Sequence, residues 1–430
     1  MMRIRRRAVA VAAFAVAVAL ALAGCAPGAG GSGSDSDKTT LTVWSWRTED
    51  VAGYKKIFAL YEKANPGVTV DFKAFKNTEY DTVLSTGLAG SGGPDIAQLR
   101  AGAALVPVVA AKRIVPIDAA TVPSLADLDA SVLKGAQVPN DKKVYGVPFA
   151  LQTLQMYYNK DIFKAQGLTV PTTWQEFLAA NEKLKSAGLI PIAATAKDNW
   201  MLPVTLGVVG GTYWAAGSYS DALTKGTAKL TDPGFVDSIN ALKTVSKYFP
   251  DNFTGVSYTE AQTLFTAGKA AMFPGGSWEL GPFTASSPNL HVGIFSVPAP
   301  GGAGTGKPVA PAFVDGSFGV STASKQQKAT LKLLNWMGTR EFGQAFADNL
   351  KQITPIKNVS PADPGLKTII ANYQEHPGGY LPASVFSGGN PDTQTVLAGA
   401  LQEMFVGSGD PASVAKTYAD AVAKAFPDGR

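Results

Sequence analysis

An alternation of short apolar strands and amphipathic helices limits this chain of 430 residues to a few architectures. In its first quarter the predicted order is a strand at 41–43, a helix at 48–64, a strand at 68–72, a helix at 78–89 and a strand at 94–97. Asn65-Pro66-Gly67 follows the first helix and is a typical helix stop. Strands separated by helices predict parallel βαβ units, and therefore an α/β fold.

The same pattern continues to the end of the chain. Further predicted elements are a helix at 174–187, a strand at 190–195 and helices at 235–248, 325–350, 393–405 and 411–426. Apolar residues make up 46% of the chain and charged residues 17%, so there is ample material for buried cores. The length suggests two or three domains.

The N-terminus is typical of a secretion signal. Arg3–Arg7 is basic, and the uncharged run Ala8–Ala23 is shorter than the roughly 20 residues of a membrane-spanning helix. The run ends in Leu22-Ala23-Gly24-Cys25, which resembles the lipobox of bacterial lipoproteins. That resemblance implies a signal peptide at 1–24 and lipid attachment to Cys25, and the small polar residues of 25–38 predict a flexible tether. An ordinary signal with an incidental cysteine is the alternative.

Composition argues against several classes of function. After residue 24 the chain has 34 basic and 33 acidic residues, and this nearly neutral balance gives no support to nucleic-acid binding. One Cys excludes an intrachain disulfide, and two His argue against a His-rich metal site. The segment 301–307 has the glycine spacing of a phosphate-binding loop, but Pro308 stands where Ser or Thr is needed. We therefore expect no cofactor and no metal, although a pair of carboxylates for glycoside hydrolysis is not excluded by spacing.

Several segments together resemble the extracellular solute-binding proteins of ABC importers, in particular the sugar-binding family that includes maltose-binding protein. Their order and spacing across 40–430 carry the resemblance more than any one of them. The segments are Leu41-Thr42-Val43-Trp44-Ser45-Trp46, Tyr61-Glu62-Lys63-Ala64-Asn65-Pro66-Gly67-Val68, Gly93-Pro94-Asp95-Ile96, Tyr145-Gly146-Val147-Pro148-Phe149, Tyr158-Asn159-Lys160-Asp161-Ile162-Phe163, Pro171-Thr172-Thr173-Trp174-Gln175-Glu176-Phe177 and Phe265-Thr266-Ala267-Gly268-Lys269-Ala270-Ala271-Met272-Phe273.

The resemblance implies a type II fold like that of periplasmic binding proteins: two α/β lobes, several chain crossings and a ligand cleft between the lobes. The expected division is an N-terminal lobe at 39–150 with a return segment at 273–314, and a C-terminal lobe at 151–272 and 315–430.

It also implies a non-catalytic receptor that takes a carbohydrate to an ABC permease. We expect a monomer held by a lipid at Cys25 on the outer face of the cytoplasmic membrane, with no nucleic-acid partner. Three alternatives stay open: the same fold binding a polyol, amino sugar or phosphate ester; a secreted carbohydrate-active enzyme; and an adhesion or signalling lipoprotein.

A sugar site needs aromatic faces for C–H surfaces and planar polar groups for hydroxyls. The candidates that lie at predicted strand ends, loops and crossings are Trp46, Arg47, Glu49, Tyr80, Gln98, Arg100, Gln152, Trp200, Trp278, Asp315 and Asn390. Gly275-Gly276-Ser277 precedes Trp278, and glycines there let the backbone approach the cleft. Gln152 stands where related proteins often have Glu.

Most candidates have a structural alternative. Lobe packing is the alternative for Trp46 and Trp278, and core packing for Tyr80. Arg47 and Glu49 could be solvated, and Asp315 could make a hinge turn.

Overall fold

The computed structural model describes residues 38–138, 141–301 and 306–427. The expected signal peptide at 1–24, the lipidation site Cys25 and the tether up to residue 37 lie outside the described residues, as does most of the glycine-rich segment at 301–307.

Strands in the described part of the chain form one mixed system. They are β1 Thr39–Ser45, β2 Val68–Ala74, β3 Ile96–Arg100, β4 Val147–Asn159, β5 Ile190–Ile192, β6 Ala270–Gly276, β7 Val292–Phe295, β8 Ala310–Val320 and β9 Pro377–Gly379. The order is β2-β1-β3-β8-β4-β6-β5, with β7 beside β4 and β9 beside β8. Strand β1 pairs in parallel with β2 and β3, which confirms the predicted βαβ units.

The described part of the chain also contains helices. They are α1 Val51–Ala64, α2 Asn77–Ala89, α3 Val106–Ala110, α4 Ala130–Leu133, α5 Lys160–Ala165, α6 Trp174–Ser186, α7 Met201–Gly210, α8 Gly217–Thr224, α9 Pro233–Val245, α10 Tyr258–Thr266, α11 Leu280–Ser286, α12 Gln327–Met337, α13 Arg340–Leu350, α14 Pro364–Glu375, α15 Leu381–Ser384, α16 Thr393–Phe405 and α17 Pro411–Ala425. Within the described ranges, none has the length and apolar content that crossing a membrane requires.

Two separate hydrophobic cores define two lobes. The N-terminal lobe contains Tyr54, Phe149 and Phe318 in its core, all at most 2% exposed. The C-terminal lobe contains Trp214 and Phe273, each at most 1% exposed. Because each core buries its own set of large side chains, each lobe packs as a unit.

Within the described ranges, the chain passes between the lobes at three places. Strand β4 pairs with β8 through Val147–Thr153 and with β6 and β7 through Leu154–Asn159, so it belongs to both lobes. Strand β8 reaches the N-terminal lobe by pairing with β3 through residues 316–320. The third crossing runs through residues 351–363 between α13 and α14, and Leu151 N–H donates to the Ile353 carbonyl there at 2.9 Å.

The cores divide the later segments differently from the expected boundaries. Phe283 and Val309, within the expected N-terminal return segment, lie in the C-terminal core. Phe318 and Leu333, expected in the C-terminal lobe, lie in the N-terminal core. Between Val309 and Phe318 the chain therefore passes from the C-terminal core to the N-terminal core. Apolar periodicity identifies an element but not which of two cores it joins.

Candidate functional site

The loop after β1 carries a buried ion pair. Arg47 is 7% exposed, and its Nε donates to Asp50 Oδ2 at 2.8 Å while Nη2 donates to Oδ1 at 3.3 Å. Burial alone would lower the pKa of Arg47, but the charge and hydrogen bonds of Asp50 raise it above its ordinary value. Nη2 also donates to the Trp278 carbonyl at 3.2 Å, which joins the two lobes.

Trp46 lies among other side chains, with 5% of it exposed. Its ring contacts those of Tyr80 and Phe149 at centroid distances of 5.6 and 5.8 Å. The Arg100 guanidinium lies 4.9 Å from the ring centroid, held there by Asp81 at 2.8 Å. These contacts are the ones expected if Trp46 serves to pack the lobe. A binding role for Trp46 and Arg100 stays a prediction.

Tyr80 and Gln98 are fully buried inside the N-terminal lobe. Tyr80 donates to the Gln98 carbonyl at 2.7 Å, and Gln98 Nε2 donates to the Tyr54 hydroxyl at 3.0 Å. Gln98 Oε1 accepts from Ser45 Oγ at 2.7 Å, and that same Oγ accepts from the backbone N–H of Arg47. In this conformation both side chains support the loop that carries Arg47, and direct ligand contact by either stays a prediction.

Gln152 and Asp315 meet at the first and second crossings. Gln152 Nε2 donates to Asp315 Oδ2 at 3.1 Å, so the structure brings these two candidates together. Burial raises the pKa of Asp315, while Arg47 and the hydrogen bond from Gln152 act in the opposite direction. Asp315 is half-buried, whereas Gln152 is fully buried.

Trp278 is held in the turn after β6. It is 5% exposed, its indole N–H donates to Glu279 Oε1 at 2.8 Å, and its ring meets Phe313 edge-on at 6.4 Å. A Cβ at Gly276 would overlap the indole. The glycine therefore makes room for the ring, and use of Trp278 as a platform stays a prediction.

Glu279, which the sequence analysis missed, is a fully buried acid at the lobe boundary. Its Oε1 accepts from the Tyr258 hydroxyl at 2.8 Å and its Oε2 accepts from Gln262 Nε2 at 2.9 Å. Burial raises the pKa of Glu279 to about 7, against the lowering effects of Gln262, Arg47 and Tyr258. An acid directly after the glycine-rich Trp278 turn was the available signal.

The remaining candidates lie in two different parts of the structure. Trp200 is half-buried and meets Tyr258 edge-on at 5.0 Å. Glu49 is exposed. Burial and the charge of Glu279 raise the pKa of Tyr258, and the charge of Glu49 makes a smaller contribution in the same direction. Asn390 is also exposed, but its neighbour Gly389 packs against Ala425, outside this group.

The boundary between the lobes therefore combines two kinds of surface. Aromatic rings come from both lobes, and carboxylates, amides and guanidinium groups lie among them. Among the described residues, no group of three or more His, Cys, Asp or Glu side chains is placed to hold a metal ion.

Comparison with known families assigns the chain to one of them. Residues 44–344 match the family described as bacterial extracellular solute-binding protein, which is most of the chain. The chain belongs to this family. The resemblance found in the sequence is thereby confirmed.

Relatives and solved structures agree with this membership. The multiple sugar-binding protein of Streptococcus mutans is 30% identical over 214 residues, which are 48% of this chain and 50% of that protein. The maltodextrin-binding protein MdxE of Bacillus subtilis is 27% identical over 229 residues, 50% of this chain and 51% of that protein. The chain thus spans about half the length of these curated relatives.

A structure from work on xylan utilization by Caldanaerobius polysaccharolyticus covers 89% of this chain and 99% of its own, with a TM-score of 0.77 and 24% identity. A chitin oligosaccharide binding protein covers 91% of this chain and 100% of its own, with a TM-score of 0.75 and 23% identity. These matches confirm the expected two-lobed type II fold.

Proposed function

We propose that this solute-binding protein is a lipid-anchored receptor that captures a carbohydrate between its lobes and delivers it to the permease of an ABC importer. The observation that carries the proposal is the lobe boundary, where aromatic rings come from both lobes: Trp46 from the N-terminal lobe, and Trp200 and Trp278 from the C-terminal lobe. Hydrogen-bonding side chains of three chain crossings meet at the same boundary. A cleft joined by such crossings can close on a ligand and bury it. Capture requires only tighter binding to the closed state, so no chemical step is invoked.

The charges at this boundary favour a neutral ligand over an anionic one. Arg47 is paired with Asp50 and Arg100 with Asp81, both at 2.8 Å, so each cation already has a carboxylate partner. A phosphate ester would compete with those carboxylates, whereas sugar hydroxyls can donate to Asp315 without carrying charge. The sugar-binding names of the relatives support the same ligand class.

Calorimetric titration of the purified protein against malto-, xylo- and galacto-oligosaccharides tests the ligand class. We expect saturable binding of at least one sugar, and a ligand at 100 times its Kd should raise the free energy of unfolding by about 2.7 kcal/mol. Glycerol 3-phosphate is the anionic comparison. Binding of the phosphate ester with no response to any sugar would contradict the proposal.

Chromatography of the bound sugar after long incubation tests the absence of chemistry. We expect the sugar to be recovered intact. Steady release of shorter sugars at catalytic protein concentration would favour the carbohydrate-active enzyme instead.

The membrane anchor and the permease complete the proposal. The anchor rests on the lipobox-like Leu22-Ala23-Gly24-Cys25 at the end of an apolar run. Metabolic labelling with a radioactive fatty acid tests it, because only an acylated chain retains the label in denaturing gels.

A further inference from the structure

One buried amide connects all three crossings between the lobes. Gln152 lies in the first crossing, Asp315 in the second and Gln352 in the third. The Nε2 of Gln152 donates to Asp315 Oδ2 at 3.1 Å and to Gln352 Oε1 at 3.0 Å. Both hydrogens of this amide are therefore used, one for each of the other crossings.

The same hydrogen-bonded cluster extends into both lobes. On the N-terminal side, Gln352 Nε2 donates to Asp50 Oδ2 at 3.0 Å, and Asp50 holds Arg47. On the C-terminal side, Ser277 Oγ donates to Gln152 Oε1 at 2.5 Å. Gln352 thus lies between a pair anchored in one lobe and an amide anchored to the other.

Moving the lobes apart would disrupt this cluster. Arg47 belongs to the N-terminal lobe, and the Trp278 carbonyl that it binds belongs to the C-terminal lobe. Gln152, Gln352 and Asp50 are all at most 4% exposed, so groups that lose a partner there are not at once compensated by water. Leaving buried polar groups unpaired costs free energy, so the cluster favours the lobe angle that keeps every bond.

We propose that the cluster of Arg47, Asp50, Gln152, Asp315 and Gln352 fixes the angle between the lobes, with Gln352 as its positioning residue. Gln352 reaches both Asp50 and Gln152 while its own side chain is 1% exposed. It acts through these two neighbours. Asp315 is the most exposed of the five, so it is the member through which cleft contents can act on the lobe angle.

Small-angle X-ray scattering of the full chain, without added sugar, tests the proposal. Gln352→Ala removes both hydrogen bonds, and we expect a larger radius of gyration than that of the unaltered chain. Asn181→Ala is the matched control. Asn181 is also a fully buried amide, but its Nδ2 donates to the Phe177 carbonyl at 2.7 Å within helix α6. We expect this control to scatter like the unaltered chain.

Gln352→Met provides a second measurement, since it keeps the side-chain length and removes the donor and acceptor. Circular dichroism confirms that each variant is folded. An unchanged or smaller radius in folded Gln352→Ala and Gln352→Met would overturn the proposal. Loss of fold in both would also overturn it, by giving Gln352 a purely structural role. Because no sugar is added, the outcome is independent of whether the proposed carbohydrate binding is correct.

Discussion

The buried acid Glu279 makes a prediction about the pH dependence of stability. It is 0% exposed and accepts hydrogen bonds from Trp278, Tyr258 and Gln262. Glu279→Gln keeps the shape of the side chain and removes its charge at every pH. The variant therefore isolates the cost of ionising this one group inside the protein.

The size of the effect follows from the pKa of Glu279. Burial raises this pKa from 4.5 to about 7 on folding. A group with a raised folded pKa contributes stability that is present below pH 4.5 and is lost as the pH rises through 7. At about 1.4 kcal/mol for each unit of pKa, the loss amounts to about 3 kcal/mol. Relative to the unaltered protein, Glu279→Gln should therefore gain about 3 kcal/mol between about pH 4 and about pH 8.

Urea unfolding followed by circular dichroism at several pH values measures this difference. Glu260→Gln is the control. Glu260 lies on α10, the helix that carries the Glu279 partners Tyr258 and Gln262, but it is exposed and the hydrogen bonds from Ser257 lower its pKa. Its contribution has the opposite sign, since stability is present at high pH and is lost as the pH falls through the lowered pKa. A difference between Glu279→Gln and the unaltered protein that stays constant from about pH 4 to about pH 8 would refute the reasoning.

Three further changes have definite expected outcomes. Trp278→Ala should lower the free energy of unfolding by about 3–5 kcal/mol in urea titrations, the cost of emptying a buried indole site; weakened sugar binding with an unchanged unfolding midpoint would instead make the ring a ligand platform. Cys25→Ala should release the protein from membranes in detergent partitioning without altering sugar affinity, and a variant that stays acylated would contradict the lipobox. Thr173→Ala should cost about 1 kcal/mol, because Thr173 and Glu176 form the capping box of α6; no change in the unfolding midpoint would contradict that role.

Individual elements could be predicted from the sequence because their signals are local. The helix expected at 393–405 is α16, and the strand expected at 68–72 lies within β2. The helix expected at 325–350 is two helices, since Gly338 ends α12 and Thr339 caps α13 by accepting from the Phe342 N–H. The apolar period continues across this break, which is why the pattern concealed it.

The lobe boundary was only partly predictable. Arg47, Gln152 and Asp315 could be singled out because each stands beside a strand end or an expected crossing. Gln352 could not, because its partner Asp50 is about 300 residues away and nothing in the neighbouring sequence indicates the contact. Long-range hydrogen bonds of this kind depend on tertiary packing, which local patterns do not encode.

The three crossings also determine the order in which the molecule can be assembled. Strand β3 has β1 on one edge but lacks its partner on the other edge until residues 316–320 of β8 have been made. The N-terminal core still needs Phe346 after that. A chain interrupted near residue 300 would hold two unfinished cores and an unpaired strand edge, a combination prone to aggregation. Neither lobe can therefore be obtained by cutting the chain once. A fragment ending near that point should become soluble only when the remaining segment is supplied in trans.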